Sequence, residues 1–350
     1  MNTKILLLVL MLSSVVFGQE IQKYKLDHYL DEVSKNNTEA GSLSIFKKGE
    51  EVYHKDFGHD NLPDTSSDEN KMYQIGSVTK LYTAVIIFKL IEEGKLELTT
   101  KLSDFYSDMP NADRITIKNL LDHSSGLGSY VVKNGEVWVT EKVTEQEILN
   151  LIKEQGVKFA PDTDRAYSNS AYYLLTKIIE KVTDKPYHLL INQYIVNPLQ
   201  LKSTYSAKSM PIYVHKPYQF EYGKWVEMVD INPMNIIGVG DLTTTTKELN
   251  IFIYNLFQGK VITSASLESM LPKKIEGKYG RGIMHLVYDD VCFYGHGGDT
   301  LGTHTMLVYN PDDEVSIAYS SNAQQVPNEV FLSIVNMLYH KEYKLLKEKD

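Results

Sequence analysis

The chain has 350 residues and a formal net charge of −9, with 43% hydrophobic and 23% charged residues. That balance excludes a disordered or collagen-like chain, and the acidic surface disfavours nucleic acid as a partner. A single cysteine, Cys292, excludes an internal disulfide framework and any cysteine-built metal centre.

Met1 to Gly18 carries one charge, Lys4, then an apolar run from Ile5 to Leu12 and a small-residue stretch ending before Gln19. This pattern reads as a secretory signal peptide over residues 1–18, too short to span a bilayer. The expected mature protein, 19–350, is exported to periplasm or medium without a stable membrane span. Ile21 to Asn36 then shows helical spacing, with Ile21, Tyr24, Leu26, Tyr29, Leu30 and Val33 on one stripe. Ser42–Phe46 and Glu51–Phe57 read as strands joined by a turn at Lys48-Gly49-Glu50, and Val78 to Glu93 as a helix stopped at Gly94.

From Leu96 to about Asn235, short helices (Ile117–His123, Glu145–Glu154, Ala171–Val182, Tyr187–Tyr194) alternate with polar loops, and few strands suggest themselves. Two more helices, Lys247–Phe257 and Ala265–Leu271, precede strands at Gly282–Tyr288, Val291–Tyr294, His304–Tyr309 and Val315–Ser320. Asn328 to Leu346 is amphipathic and closes the chain. Strands at both ends with helices between them predict a mixed α/β (α+β) fold with one mainly antiparallel sheet. The expected division is an α/β part at about 19–97 and 236–350 and an inserted all-helical subdomain at about 98–235.

Three segments carry candidate chemistry. Ser77-Val78-Thr79-Lys80 runs into the Val78 helix. A serine there and a lysine three residues later share one helix face, and burial of Lys80 would lower its pKa enough to take the serine proton. Spacing alone is weak, since Ser44 and Lys47 repeat it inside a predicted strand, where they point to opposite faces. On spacing alone, a helix-capping serine beside an exposed lysine is the favoured reading of Ser77.

Tyr167-Ser168-Asn169 precedes the Ala171 helix. A tyrosine near cationic Lys80 would have a depressed pKa and serve as general base, while the Asn169 amide would hold a substrate amide. Taken singly, Tyr167 is a packed aromatic and Asn169 an N-cap. The third segment, Gly295-His296-Gly297-Gly298-Asp299, ends an apolar strand. Its glycines admit a substrate backbone, and a strand N–H there can complete an oxyanion hole; otherwise it is a glycine-rich hairpin. The K-x-G triplets at Lys47, Lys133 and Lys278 repeat part of such a pattern elsewhere. There is no H-E-x-x-H helix, no G-x-S-x-G elbow and no Walker-type glycine loop.

The order and contexts of the three segments resemble the serine β-lactamase and penicillin-binding protein superfamily. The closest likeness is to its class C-like branch of D-alanyl-D-alanine carboxypeptidases, esterases and D-amino-acid peptidases. Leu90–Leu96, Ile115–Leu127, Tyr167–Glu180, the segment around Gly240 and Leu242, and Gly295–Gly302 are similar too, so the likeness spans about 20–340. It implies a five-stranded antiparallel sheet flanked by helices, a helical subdomain, and a site in the crevice between them. By resemblance Ser77 is the acylated nucleophile and Lys80 and Tyr167 share proton transfer. Asn169, His296 and Gly298 bind substrate, and the N–H groups of Ser77 and Asp299 form the oxyanion hole.

The resemblance implies no cofactor and no metal. It implies a small-molecule ester, peptide or peptidoglycan-derived substrate. The branch accommodates an esterase or D-peptidase, a D-alanyl-D-alanine carboxypeptidase or a class C-type β-lactamase, and a non-catalytic sensor or assembly protein on the same fold is the alternative from another class. Four positions depart from the branch. His296 stands where Lys is usual and Gly297 where Thr or Ser is common, while Asp162 and Asp241 replace frequent glycines. Gly297 offers no hydroxyl to a substrate carboxylate, which disfavours β-lactam and terminal D-Ala recognition. A protonated His296 would partly replace it as pH falls toward 6.

Overall fold

The computed structural model describes residues 22–63, 72–210, 214–273, 278–325 and 328–343. The expected leader, residues 1–18, and the predicted last turn of the C-terminal helix lie outside the described residues.

The sheet is built from eight strands: β1 (Glu39–Lys47), β2 (Glu50–Phe57), β3 (Tyr218–Glu221), β4 (Lys224–Glu227), β5 (Met284–Tyr288), β6 (Val291–Asp299), β7 (His304–Asn310) and β8 (Val315–Gln324). Its main path runs β2-β1-β8-β7-β6-β5, antiparallel throughout. The first and last strands of the chain therefore lie side by side, with Leu43 opposite Tyr319 and Ile45 opposite Ile317. The six strands of this path are those legible in the residue pattern; the resemblance implied five. Lys48 and Gly49 turn the first hairpin with φ of 53° and 82°, the pair of positive values that a tight two-residue connection requires.

A correction comes from the middle of the chain, where few strands suggested themselves. The β3–β4 hairpin turns at Tyr222 and Gly223, both with positive φ, and Phe220 packs edge-on against Trp225. Tyr218 then pairs in parallel with Ala323, so this hairpin extends the sheet. Its strands have only four residues each, too short for alternation to register as a pattern.

Both sheet faces are covered, and alternation along each strand assigns the side chains. Ile317, Tyr319 and Val308 pack with Leu26, Leu30 and Val33 of helix α1 (Lys23–Lys35) and with Ile334. Tyr24, placed on that stripe by its spacing, is 69% exposed. Ala318, Leu307 and Tyr309 face the larger core on the opposite side. At the centre of that core is α2 (Thr79–Glu92), where every residue from Thr79 to Phe88 is buried. A helix apolar on all sides has to be surrounded, and α3 (Asn169–Thr183), α4 (Thr246–Phe257) and the sheet enclose it. Tyr82 of α2 stacks on Phe252 of α4 at 3.8 Å between ring centroids. The last helix, α5 (Glu329–Leu338), ends eight residues before the predicted Leu346.

Candidate active site

Ser77 sits in a single tight turn, Gly76–Val78, which feeds directly into α2. Gly76 takes φ +51°, and a Cβ there would lie 2.8 Å from Asp299 N and Asp299 O. On the other side, a Cβ on Gly298 would collide with Ile75 O and lie 2.8 Å from Ser77 N. Two glycines thus bring the backbones of the serine turn and the end of β6 into contact. The segment Phe293–Asp299 is continuous strand and not a glycine hairpin, because Gly297 and Gly298 stay paired with Met306 and Thr305 of β7.

Lys80, one helical turn after Ser77, is fully buried. Its Nζ lies 2.8 Å from Ser77 Oγ and donates to Val239 O at 2.9 Å. Among the described residues no carboxylate pairs with it. Burial without a counter-ion pushes the amine well below its ordinary pKa. The ring of Tyr167 lies 5.0 Å from Lys80 Nζ and that of Tyr172 5.8 Å.

Tyr167 departs from expectation in one respect. Its pKa is raised, not depressed, chiefly by burial, with the Ser77 hydroxyl offsetting a small part. The expected depression required a charged lysine, and the same burial that encloses the phenol favours the neutral amine. The Tyr167 hydroxyl is buried and has no hydrogen-bond partner in good geometry. Ser168, not Asn169, caps α3: its Oγ accepts from Ala171 N at 3.0 Å. Asn169 is the first helical residue, and its amide donates to Ser129 Oγ at 2.9 Å.

His296 is also corrected. Burial and the nearby Lys80 lower its pKa to about 4, so the imidazole is neutral at pH 6. Its Nδ1 is 2.5 Å from Gly297 O. At Gly297 an added Cβ would lie 3.0 Å from Met306 Sδ, a tight contact with the end of a flexible side chain. Asp299 projects its carboxylate outward to His304 Nδ1, 2.6 Å away. Ser77, Tyr167, His296, Gly297 and Asp299 line one open cavity of about 1240 Å³, together with Tyr279 and Lys278. Gly298 lies between two lining residues and Asn169 two residues after Tyr167, and Gly298 also touches the serine turn through its backbone.

The other two departures have structural reasons. Asp162 takes φ +65°, a conformation glycine adopts freely, and its carboxylate pairs with Lys118 at 2.7 Å. Asp241 is buried and accepts from Ser206 Oγ at 2.5 Å, Ala207 N at 3.0 Å and Gly238 N at 2.7 Å. It thereby fixes the loop that presents Val239 O to Lys80.

Sequence reasoning quoted His123 without giving it a role. It is buried beneath Tyr167, with ring centroids 4.5 Å apart, and its Nδ1 accepts the Ser168 N–H at 3.1 Å. Burial and Lys80 lower its pKa, which suits a neutral acceptor. Its φ of +61°, unusual for a histidine, has no signature in a single sequence.

A Ser-x-x-Lys pair with a buried lysine, at the start of a helix packed on an antiparallel sheet, agrees with what the chain matches. The chain belongs to the β-lactamase family, which it matches over residues 26–337, and it is a serine hydrolase. It is 26% identical to penicillin-binding protein 4* of Bacillus subtilis (strain 168), covering 81% of this chain and 68% of that protein. It is also 26% identical to the teichoic acid D-alanine hydrolase of Staphylococcus aureus (strain MRSA252), covering 76% and 67%. Among solved structures, the D-amino acid amidase of Ochrobactrum anthropi SV3 superposes with a TM-score of 0.80 at 20% identity, over 91% of this chain and 99% of that one.

Proposed function

We propose that this protein is an exported acyl-enzyme hydrolase that uses Ser77 as nucleophile on a small ester or D-amino-acid derivative. The observation that carries the reading is the 2.8 Å contact between Ser77 Oγ and the Nζ of a buried lysine without a counter-ion. A neutral amine at that distance accepts the Ser77 proton as Oγ attacks the acyl carbon. The carbonyl oxygen becomes an oxyanion facing the N–H groups of Ser77 and Asp299. Collapse expels the alcohol or amine, which takes its proton from Lys80 or from the Tyr167 hydroxyl. Water then attacks the acyl-enzyme, the same groups moving its proton in reverse.

In this reading Tyr167 acts as a proton donor and relay, since a raised pKa suits the neutral phenol better than a standing phenolate. Asn169 and the edge of β6 at His296 and Gly298 hold the substrate. The α/β part, about 19–97 and 236–350, supplies Ser77, Lys80 and β6, while the helical part, about 98–235, supplies Tyr167 and Asn169. The D-alanyl substrate named for the Staphylococcus aureus relative supports a D-aminoacyl group here. Gly297 supports a neutral acyl ester over a β-lactam.

Export rests on residues 1–18; no helix among the described residues is long and apolar enough to cross a membrane. Incubation with a panel of esters, D-aminoacyl amides and penicillins, followed by intact mass and peptide mapping, tests the reading. A stable adduct on Ser77 is expected, and an adduct elsewhere, or turnover by Ser77→Ala equal to the parent, overturns it. N-terminal sequencing of exported protein is expected to begin at Gln19.

A further inference from the structure

We propose that Asp230 is a positioning residue for the reaction: it clamps the turn after β6 from outside the sheet and so keeps the Asp299 N–H aimed at the oxyanion. The proposal rests on the reading of Asp299 N–H as an oxyanion donor.

Asp299 ends β6, and Thr300 to Thr303 form a turn back into β7, closed by Thr300 N donating to Thr303 O at 3.0 Å. A donor at the end of a strand keeps its direction only if the following turn is held. Here the hold comes from outside the sheet. Asp230 Oδ2 accepts the Thr300 hydroxyl at 2.5 Å, and Oδ1 accepts the Leu301 N–H at 2.7 Å. One carboxylate thus receives both a side chain and a main-chain donor of the same turn, a two-point contact that fixes orientation as well as position.

Asp230 is itself anchored. Its Oδ1 also accepts Ile231 N–H at 2.6 Å, and Asn232 N donates to Val139 O at 3.1 Å. Asn235, five residues on, accepts from Val143 N and donates to Val139 O. The clamp therefore joins the end of β6 to the segment around Val139.

The turn passes this restraint on to the nucleophile. Thr303 N–H donates to Thr300 Oγ1 at 3.0 Å, and Thr303 Oγ1 donates to Gln74 O at 2.9 Å. Gln74 stands three residues before Ser77, so both oxyanion donors are tied to one hydrogen-bonded turn whose outer anchor is Asp230. Asp230 does not line the cavity, so it acts through the turn and not on substrate.

The test is steady-state hydrolysis of p-nitrophenyl acetate by the parent, Asp230→Ala, Asp230→Asn and Thr300→Val, with inhibition by an arylboronic acid that forms a tetrahedral adduct on serine. Removing an oxyanion donor outright costs about 10²–10³ in kcat, and a misdirected donor costs less. Asp230→Ala is expected to lower kcat about 10- to 100-fold, with KM within about threefold, and to weaken boronate inhibition by the same factor. Thr300→Val, which removes one of the two contacts, is expected to lose about tenfold and carries the test if the alanine variant does not fold. Asp230→Asn keeps a carbonyl acceptor for Leu301 N–H and is expected to restore most of the activity. An unchanged kcat in Asp230→Ala and Thr300→Val, a loss confined to KM, or an asparagine variant as impaired as alanine overturns the proposal. Ser77→Ala separates the two ideas. If it is inactive while Asp230→Ala matches the parent, only the clamp fails; if it retains activity, the acyl-enzyme reading fails.

Discussion

At the scale of single residues, the site depends on one charge that the fold does not accommodate. Lys80 is enclosed with two oxygen acceptors and, among the described residues, no carboxylate, so its charged form is disfavoured and its amine stands 2.8 Å from Ser77 Oγ. Ser77→Ala is expected to lower kcat by at least about 10⁴-fold, and Lys80→Met by nearly as much, because members of one proton-transfer unit do not contribute additively. Thermal melts should barely move for Ser77→Ala, which removes a half-exposed hydroxyl. Tyr167→Phe should cost about 10²- to 10⁴-fold, the range of a general acid–base step, with acylation measured by stopped flow. His296, with a pKa near 4, stays neutral through the working range. The kcat/KM for carboxylate-bearing esters should therefore not improve between pH 8 and 6, and a rise over that interval would mean that His296 protonates. That Ser77, Lys80, Tyr167 and His296 lie close together was legible in the sequence, because each sits in a short motif of fixed spacing. The sign of the Tyr167 shift was not, because it depends on burial, which residue order alone does not reveal.

At the scale of elements, the site is a contact between a turn and a strand, and its tolerance is set by three glycines. Gly298 faces the Ile75 carbonyl and Ser77 N with no room for a methyl group. Gly298→Ala is expected to destabilise the protein by roughly 1–3 kcal/mol, as overpacked positions do, and to lower activity through displacement of the serine turn. Urea denaturation alongside kcat measures both. Gly297 differs, since its nearest obstacle is the flexible end of Met306 at 3.0 Å. Gly297→Thr should fold and place a hydroxyl at the cavity wall. A charge-assisted hydrogen bond contributes about 1.5–3 kcal/mol, so nitrocefin turnover should rise at least about tenfold while p-nitrophenyl butyrate hydrolysis stays level. Equal effects on both substrates would remove Gly297 as a determinant of substrate class. The six strands of the antiparallel path and α2 were readable from apolar runs and periodicity. The β3–β4 hairpin was not, because it joins the sheet through a single bridge from a distant part of the chain.

At the scale of the whole molecule, stability and the site share buried ionisable groups whose pH effects oppose one another. Glu39, the first residue of β1, is raised from 4.5 to about 7, mainly by burial, with hydrogen bonds from Tyr319 and Gln324 and the charge of His304 working against it. Asp241, which braces the Val239 loop, is raised from 3.8 to about 6 by the same cause. Each holds its proton in the native state after the unfolded chain has released it, so each lowers stability as pH rises through that interval. The buried histidines act in the opposite sense. His123 and His296 are held neutral, and the unfolded chain binds their protons below about pH 6.5, so their contribution grows as pH rises toward that value. The net slope is a difference of these terms, and a single variant separates one of them. Glutamine keeps an acceptor toward Tyr319 and removes the titration; the buried amide donors that it adds at Oε2 cost a pH-independent amount, so the change of the difference with pH reports on Glu39. One pKa unit corresponds to about 1.36 kcal/mol, so the stability of Glu39→Gln relative to the parent should increase by roughly 2–3 kcal/mol between pH 5 and 8. Guanidinium unfolding of both proteins at pH 5, 6, 7 and 8 measures that difference directly. A difference that does not change with pH would mean that Glu39 is ionised throughout, with Tyr319, Gln324 and His304 together compensating its burial.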